Sequence, residues 1–337
     1  MNLKFKIMLL LLFTLLQVNG QDLHYSHFMQ APLQRGASEC GNFNGDLRLT
    51  GISRRQWASV STPYRTLGFS ADGKLGAMHP KLNGLSAGVV MNYDRAGDGD
   101  LTGLQMLISL SYQLAITRDS SHFFRAGLSG GWVQRNINFN AFTFDNQYDG
   151  DVFQAQLPSG ERFGDNNFMT GDFGFGFGWT GKNDKGLLDA GFQCMHFNRA
   201  QWTFLEAGNA QYPLLYQFTL SGVRYSDNKM QWKPALMYLR QDQNTEITGG
   251  TELQFSLRDR PVRAWAFSVA GWYRYKDAVI PQVALYYDKF RFGFSYDINI
   301  SSLREASNYR GGAEFSIVYI ASKIRSTSKA SSICPVY

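Results

Sequence analysis

Beyond residue 20 the chain contains no uninterrupted apolar stretch approaching the ~20 residues a transmembrane helix needs, and charged residues recur throughout. A helical membrane protein is thereby excluded. Cysteine is scarce: Cys40, Cys194 and Cys334 fall in no CxxC or metal-ligand spacing, which argues against a thiolate metal centre or a redox motif. Three is also an odd number for an oxidising compartment. A bridge between Cys40 and Cys334 at the two chain ends stays open, and a free buried Cys194 is the expected fate of the third. Only 9 prolines occur among 337 residues, so few positions break an extended ladder. The formal net charge of +6 comes from Lys and Arg scattered without a basic run, and nucleic-acid binding needs a clustered basic footprint. No nucleic-acid partner is expected.

What is present begins with a leader. Lys4 and Lys6 precede the apolar run Ile7 to Leu16, followed by Val18-Asn19-Gly20, the three-part form of a secretory signal. Cleavage after Gly20 would make Gln21 the mature start, and no Cys follows to take a lipid. The expected organisation is a cleaved signal peptide over 1–20, a periplasmic N-terminal arm over 21–44, a barrel over 45–320 and a periplasmic C-terminal tail over 321–337.

The fold is written in alternation. Phe290, Phe292, Phe294, Tyr296, Ile298 and Ile300 are large and apolar, while Arg291, Gly293, Ser295, Asp297 and Asn299 fill the other face. Leu104, Met106, Ile108, Leu110, Tyr112 and Leu114 repeat the pattern, as do Leu85, Ala87, Val89, Met91 and Tyr93. Phe173, Phe175, Phe177 and Trp179 stand opposite Gly174, Gly176, Gly178 and Thr180, a row too small to fill a core unaided. A soluble sandwich strand also alternates, but its usual length is about five or six residues. Several of these runs reach the roughly ten residues of a tilted membrane strand. Aromatics near segment ends, such as Trp57, Trp132, Trp232 and Tyr319, suit interfacial girdles.

Segments fall near 45–53, 64–72, 83–94, 101–117, 121–135, 168–181, 185–198, 212–226, 231–241, 246–257, 262–275, 279–288, 289–300 and 309–320. This predicts an all-β transmembrane antiparallel β-barrel of about 14 strands with both termini periplasmic, an even number as single-chain bacterial barrels have. Closure follows from solvation, because an open edge in hydrocarbon leaves backbone groups unpaired at several kcal/mol each. The long connections 136–167 and 198–212 become outer loops. The long inner connection at Asp72 to Asn83 and the short outer one at Lys276 to Ala278 fit this scheme least well.

Four blocks resemble a known family. They are Gln21-Asp22-Leu23-His24-Tyr25-Ser26-His27-Phe28-Met29 with Phe43-Asn44-Gly45-Asp46-Leu47-Arg48 and Arg55-Gln56-Trp57; Asn92-Tyr93-Asp94-Arg95-Ala96-Gly97 leading to Tyr112-Gln113-Leu114; the Phe139 to Gly150 loop around Phe144-Asp145-Asn146-Gln147-Tyr148; and Ser295-Tyr296-Asp297-Ile298-Asn299 with Arg310-Gly311-Gly312-Ala313-Glu314-Phe315-Ser316-Ile317, closing on Cys334-Pro335-Val336-Tyr337. In order and spacing the chain resembles the PorP/SprF outer-membrane proteins of the type IX secretion and gliding machinery of the Bacteroidota. One departure is Gly36-Ala37-Ser38 where the family usually has Asn-Pro-Ala, so the turn that Pro would enforce is missing. The resemblance implies a non-enzymatic role: docking or anchoring a large secreted or surface-anchored, adhesin-like client, with outer-membrane lipid around the barrel and periplasmic type IX secretion components as further partners. The alternative is a passive or substrate-specific channel.

Candidate site residues follow. The loop from Phe139 to Phe163 carries Phe142, Phe144, Tyr148, Phe153 and Phe163 among acidic residues. With Trp202 of the next outer loop, these form the candidate client-contact set, since long loops are usually functional and exposed aromatics favour protein contact. Folding of this loop inward as a plug is the rival reading. Arg310 and Glu314 are assigned to a lumenal polar network. His24 and His27 lack the further ligands an imidazole metal site needs, and Asp94, Asp98 and Asp100 lack the acidic residue that closes a calcium loop. Ser26, Ser59, Ser61 and Ser70 stand in no nucleophile-elbow context. No catalytic residue, cofactor or metal is expected.

Overall fold

Fourteen alternating segments become fourteen strands. The computed structural model describes residues 22–57, 62–154, 156–160, 163–205, 208–226, 229–258, 265–302 and 304–322. The strands are β1 (Leu47–Gln56), β2 (Tyr64–Lys74), β3 (Leu85–Ala96), β4 (Leu101–Ala115), β5 (His122–Asn136), β6 (Asn167–Asn183), β7 (Gly186–Met195), β8 (Leu215–Ser226), β9 (Met230–Gln241), β10 (Asn244–Arg258), β11 (Trp265–Arg274), β12 (Ala278–Tyr287), β13 (Phe290–Asn299) and β14 (Arg310–Ala321). Each pairs antiparallel with its neighbours in sequence. β14 returns to β1 in register from Leu47 opposite Ala321 to Gln56 opposite Gly312, so the barrel is closed. Pro234 and Pro281, which cannot donate to a ladder, lie at gaps in the β8–β9 and β12–β13 pairings.

The burial pattern is inverted relative to a soluble protein. On β13 the apolar Phe290, Phe292, Phe294 and Ile298 are exposed, while Arg291, Ser295, Asp297 and Asn299 are buried. On β4, Ile108, Leu110, Tyr112 and Leu114 face outward and Ser109 and Ser111 inward. An apolar belt over a polar interior is the arrangement that hydrocarbon outside and a polar lumen inside require.

The two ends of the barrel differ. At one end lie the connections 57–63, 97–100, 137–166, 196–214 and 300–309, together with two tight turns at 242–243 and 275–277. Asp242 and Lys276 take positive φ in those turns. At the other end the connections are 75–84, 116–121, 184–185, 227–229, 259–264 and 288–289. The connection at 75–84 is long for that end and is folded into two 3-10 turns, Leu75–Ala77 and Pro80–Leu82.

The N-terminal segment departs from expectation. Residues 22–43 do not form an arm outside the barrel. They run through its lumen, as an irregular stretch to His27, a 3-10 turn Phe28–Gln30, one helical turn Pro32–Arg35 and a 3-10 turn Ala37–Glu39. Asp22 meets Gln241, His196 and Tyr212 at the long-loop end. Gly41 meets Asp72 at the short-turn end, where β1 begins. The described ends, Asp22 and Ser322, lie at opposite ends of the barrel, and the termini themselves lie outside the described residues. The physical reason lies in the wall. Side chains alone fill a barrel of about eight strands, whereas fourteen strands lined partly by glycine leave a space wide enough to admit residues 22–43. Residues 1–21, and all but the first two residues of the 321–337 tail, lie outside the described residues.

Candidate functional site: a plugged lumen beneath a loop platform

Three polar clusters tie the plug to the wall, each built from strand side chains the alternation points inward. Near the long-loop end, Ser26 Oγ donates to Asp297 at 2.6 Å and accepts from Arg274 Nη2 at 2.9 Å. Arg54 bridges Asp297 at 2.9 Å and donates to the carbonyl of His24 at 2.6 Å. Glu314, fully buried, accepts the backbone N–H groups of Ser26 at 2.9 Å and His27 at 2.7 Å. Buried charges persist only when paired and hydrogen-bonded. Here β1, β11, β13 and β14 supply the charges and the plug supplies a hydroxyl, two N–H groups and a carbonyl.

At the short-turn end, Arg125 of β5 reaches Asp189 of β7 at 2.9 Å, Glu39 at 3.2 Å and the carbonyl of Ser38 at 3.1 Å. Arg48 holds Asp72 through two bonds of 2.9 and 2.8 Å and donates to the carbonyl of Glu39 at 3.0 Å. The second oxygen of Asp72 also accepts from Gly41 N. Between these clusters Tyr25 Oη donates to Asn92 at 3.0 Å and Ala37 N to Gln193 at 3.1 Å, and wall glycines admit the plug closely. A Cβ placed on Gly127 would lie 2.4 Å from the carbonyl carbon of Ala37, and one on Gly68 would lie 2.3 Å from Tyr25 Oη. The void left between plug and wall around Leu23, Leu33 and Gln193 is about 60 Å³, room for a few waters.

The third cluster closes the mouth. His196 lies between Asp172 at 2.8 Å and Asp22 at 3.0 Å. Tyr212 Oη donates to Asp22 at 2.9 Å, and Gln241 accepts from its backbone N–H at 2.8 Å. Burial alone would push His196 down, but the hydrogen bonds and charges of Asp172 and Asp22 outweigh it and lift its pKa to about 9. Burial would raise Asp22, but His196 and the N–H of Leu23 hold it down at about 2. The pair is ionic at neutral pH.

Above the latch, aromatic rings run from one long loop to the other. Tyr212 stacks on His196 at 3.7 Å and on Trp202 at 3.8 Å. Trp202 meets Phe168 edge-on at 5.2 Å, and Phe168 meets Phe204 at 4.8 Å. Phe139 contacts both Phe204 and Phe163, the latter stacked at 3.9 Å, and Phe163 touches Phe144 at 5.6 Å. A bridge pairs Phe163 with Leu205, and Gly164 N donates to the carbonyl of Phe204 at 2.8 Å. The two loops therefore form one platform.

A model of the family described as type IX secretion system membrane protein PorP/SprF matches residues 17–319. The chain belongs to the PorP/SprF family. This PorP/SprF protein is thus an outer-membrane β-barrel of the type IX secretion system. Among curated proteins none matches its sequence. Its barrel is similar to solved structures at low identity. The Ralstonia pickettii toluene transporter TbuX matches with a TM-score of 0.49 and 9% identity over 86% of this chain and 92% of that one. The P. putida toluene transporter TodX matches with a TM-score of 0.46 and 9% identity over 87% and 94%. Likeness at this level carries no information about cargo.

The candidate residues separate into groups. Phe142, Tyr148 and Phe153 are exposed on the PorP/SprF loop, and Phe142 lies over the position where Gly99 leaves room for its ring. Phe144, Phe163 and Trp202 are half-buried in the aromatic ladder. Glu314 lies in the lumenal network, but Arg310 is exposed at the barrel mouth. The cations that share this network are Arg54 and Arg274, brought there by ring closure across sequence separations that no local pattern encodes. The lumen is filled by residues 22–43, and the 137–166 loop joins the platform.

His24 lies 3.7 Å from Glu246, and His27 bonds Ser316 at 2.8 Å, so the two histidines face different partners. Asp94, Asp98 and Asp100 are engaged separately by Thr66, Thr62 and Arg95. Cys40 and Cys194 are buried thiols, and Cys334 lies outside the described residues. Ser59, Ser61 and Glu161 also lie outside them. Sequence reasoning missed the latch residues Asp22, Asp172, His196 and Tyr212. The signal available for them was a His immediately beyond a strand and an Asp on an inward-facing position.

Proposed function

We propose that this protein is a sealed docking barrel. It holds a large secreted or surface-anchored, adhesin-like client on its long-loop platform and serves type IX secretion and gliding without catalysis or cofactor. The observation that carries this reading is the occupation of the lumen by residues 22–43, tied to the wall by the Asp22–His196 pair at one end and the Glu39–Arg125 pair at the other. A lumen filled in this way leaves the platform built by loops 137–166 and 196–214 as the working surface.

Bacterial barrels place long loops outside and short turns in the periplasm, which puts the platform at the cell surface. Export proceeds by way of the leader, with its removal after Gly20, and periplasmic secretion components are the further partners. Phe142, Tyr148 and Phe153, exposed on the platform, are the client contacts; Phe144, Phe163 and Trp202 hold its shape.

Purified protein in planar bilayers tests the reading. Wild type is expected to give no discrete conductance, and a variant lacking 23–43 to give steps if it closes as a barrel. Discrete steps from wild type would instead support a channel. Affinity purification from solubilised outer membranes is expected to yield a large surface protein, and substitution of Phe142, Tyr148 and Phe153 by Ser to release it.

A further inference from the structure

We propose that the vestibule between the aromatic ladder and the β9–β10 turn binds an extended, carboxylate-bearing polypeptide segment of another protein, read by Arg135, Arg199 and Arg240. This inference rests on the docking reading above and names the chemistry of the partner. The vestibule is a cavity of about 970 Å³ that opens above Asp22, with the three arginines and the aromatic rings of Phe168, Trp202 and Tyr212 in its wall. That volume lies at the upper end of what ligand sites enclose.

Charge and hydrogen bonding indicate the occupant. Arg135 lies over the Trp202 ring at 5.0 Å, and its Nε is shielded from solvent without an acceptor among the described residues. Arg240 Nε makes a long contact of 3.4 Å to the carbonyl of Asp242. Among the described residues none of the three forms a salt bridge, and Arg135 acts on the Asp22 carboxylate only from a longer distance. A guanidinium held against an aromatic ring, as that of Arg135 is, suits planar, bidentate carboxylate recognition.

The floor of the same vestibule already holds such a ligand. The carboxylate of Asp22 accepts from Tyr212 and His196, and its backbone N–H is taken by Gln241. On the docking reading, the occupant is a segment of the client polypeptide. Rings and guanidinium planes would grip its backbone and side chains, and acidic residues at intervals would pair with the arginines.

The test uses the full chain in detergent micelles, titrated with a short fluorescein-labelled peptide of alternating Asp and Gly containing one Phe, and with its Asn counterpart. Saturable binding of the acidic peptide, weakened by salt and by about tenfold or more in the triple variant Arg135→Ala, Arg199→Ala, Arg240→Ala, is the expected result. Arg→Lys at all three positions is expected to recover part of the affinity. Equal binding of the Asn peptide, no binding of either, or binding unchanged in the triple variant overturns the proposal. Heat-modifiable migration on gels reports that each variant is a closed barrel.

Co-purification from membranes separates this result from the docking reading. If wild type and the triple variant retain the client equally, the vestibule proposal falls and docking stands. If wild type retains no client, docking falls, and the peptide titration still judges the vestibule.

Discussion

Glu314→Ala is the perturbation that bears most directly on how the plug is held. The carboxylate accepts two buried backbone N–H groups of the plug, from Ser26 and His27, and lies 3.8 Å from Arg54 Nε. Removing it leaves Arg54 with Asp297 at 2.9 Å, so the cation keeps its main partner. The two N–H groups have no replacement acceptor of similar geometry. Each buried donor left unpaired costs about 1–3 kcal/mol, and partial rehydration through the new cavity recovers some of that. A net weakening of plug docking by about 2–4 kcal/mol follows, roughly 30- to 700-fold in the population of the released segment.

Hydrogen exchange read by mass spectrometry on the purified barrel in micelles measures this. Peptides covering 22–31 are expected to exchange faster in Glu314→Ala by that factor, while β4 and β5 peptides keep their protection. Glu314→Gln, which retains an acceptor oxygen, is expected to fall between wild type and Ala. Protection of 22–31 unchanged in Glu314→Ala, in a barrel that still shows heat-modifiable migration, would refute the reasoning.

Two further outcomes are expected. Gly127→Val places atoms where the backbone of Ala37 and Ser38 runs; because backbone cannot rotate aside, bilayer recordings should show brief openings that wild type lacks. The mouth latch should depend on pH with two opposite limbs. His196 is raised from 6.5 to about 9, so its contribution is complete below 6.5 and is lost as pH rises through 9. Asp22 is lowered from 3.8 to about 2, so its contribution is present above 3.8 and is lost as pH falls through 2. Protease resistance at the N-terminus should therefore be greatest between about pH 4 and 6.5 and decline toward pH 9. In His196→Gln, which faces Asp22, Asp172, Tyr212 and Arg135 without a proton to lose, the alkaline decline should vanish.

The barrel was legible because period-two alternation is a local property. In β13 every position from Phe290 to Asn299 that reads apolar faces outward, and all fourteen strands lie within a few residues of where alternation and turn chemistry put them. Boundaries drifted where a strand ran on past its pattern, as β1 does from Ser53 to Gln56. The plug was not legible. Its residues show no periodicity, and the contacts that draw it inside, Ser26 with Asp297 or Glu39 with Arg125, join positions far apart in the chain. A sequence can present Arg125 as an inward-facing charge, but the identity of its partner depends on ring closure. The row Gly174, Gly176 and Gly178 was the clearest hint, since a face that small calls for another segment to cover it. In the folded chain Ser38 of the plug does so at Gly176, and Met195, Gln193 and Arg125 of the neighbouring strands lean over the rest of the row.

The central claim, that the chain threads its own barrel, is tested most directly by a covalent link between plug and wall. Cys40 Sγ lies 4.0 Å from the carbonyl oxygen of Ser109 on β4, deep in the lumen. In a background carrying Cys194→Ala and Cys334→Ala, Ser109→Cys is expected to form a disulfide with Cys40 on mild oxidation. The product should migrate faster on denaturing gels until reduced. Failure to form that bond in a folded barrel, with Cys40 instead labelled rapidly by a bulky maleimide, would contradict the account.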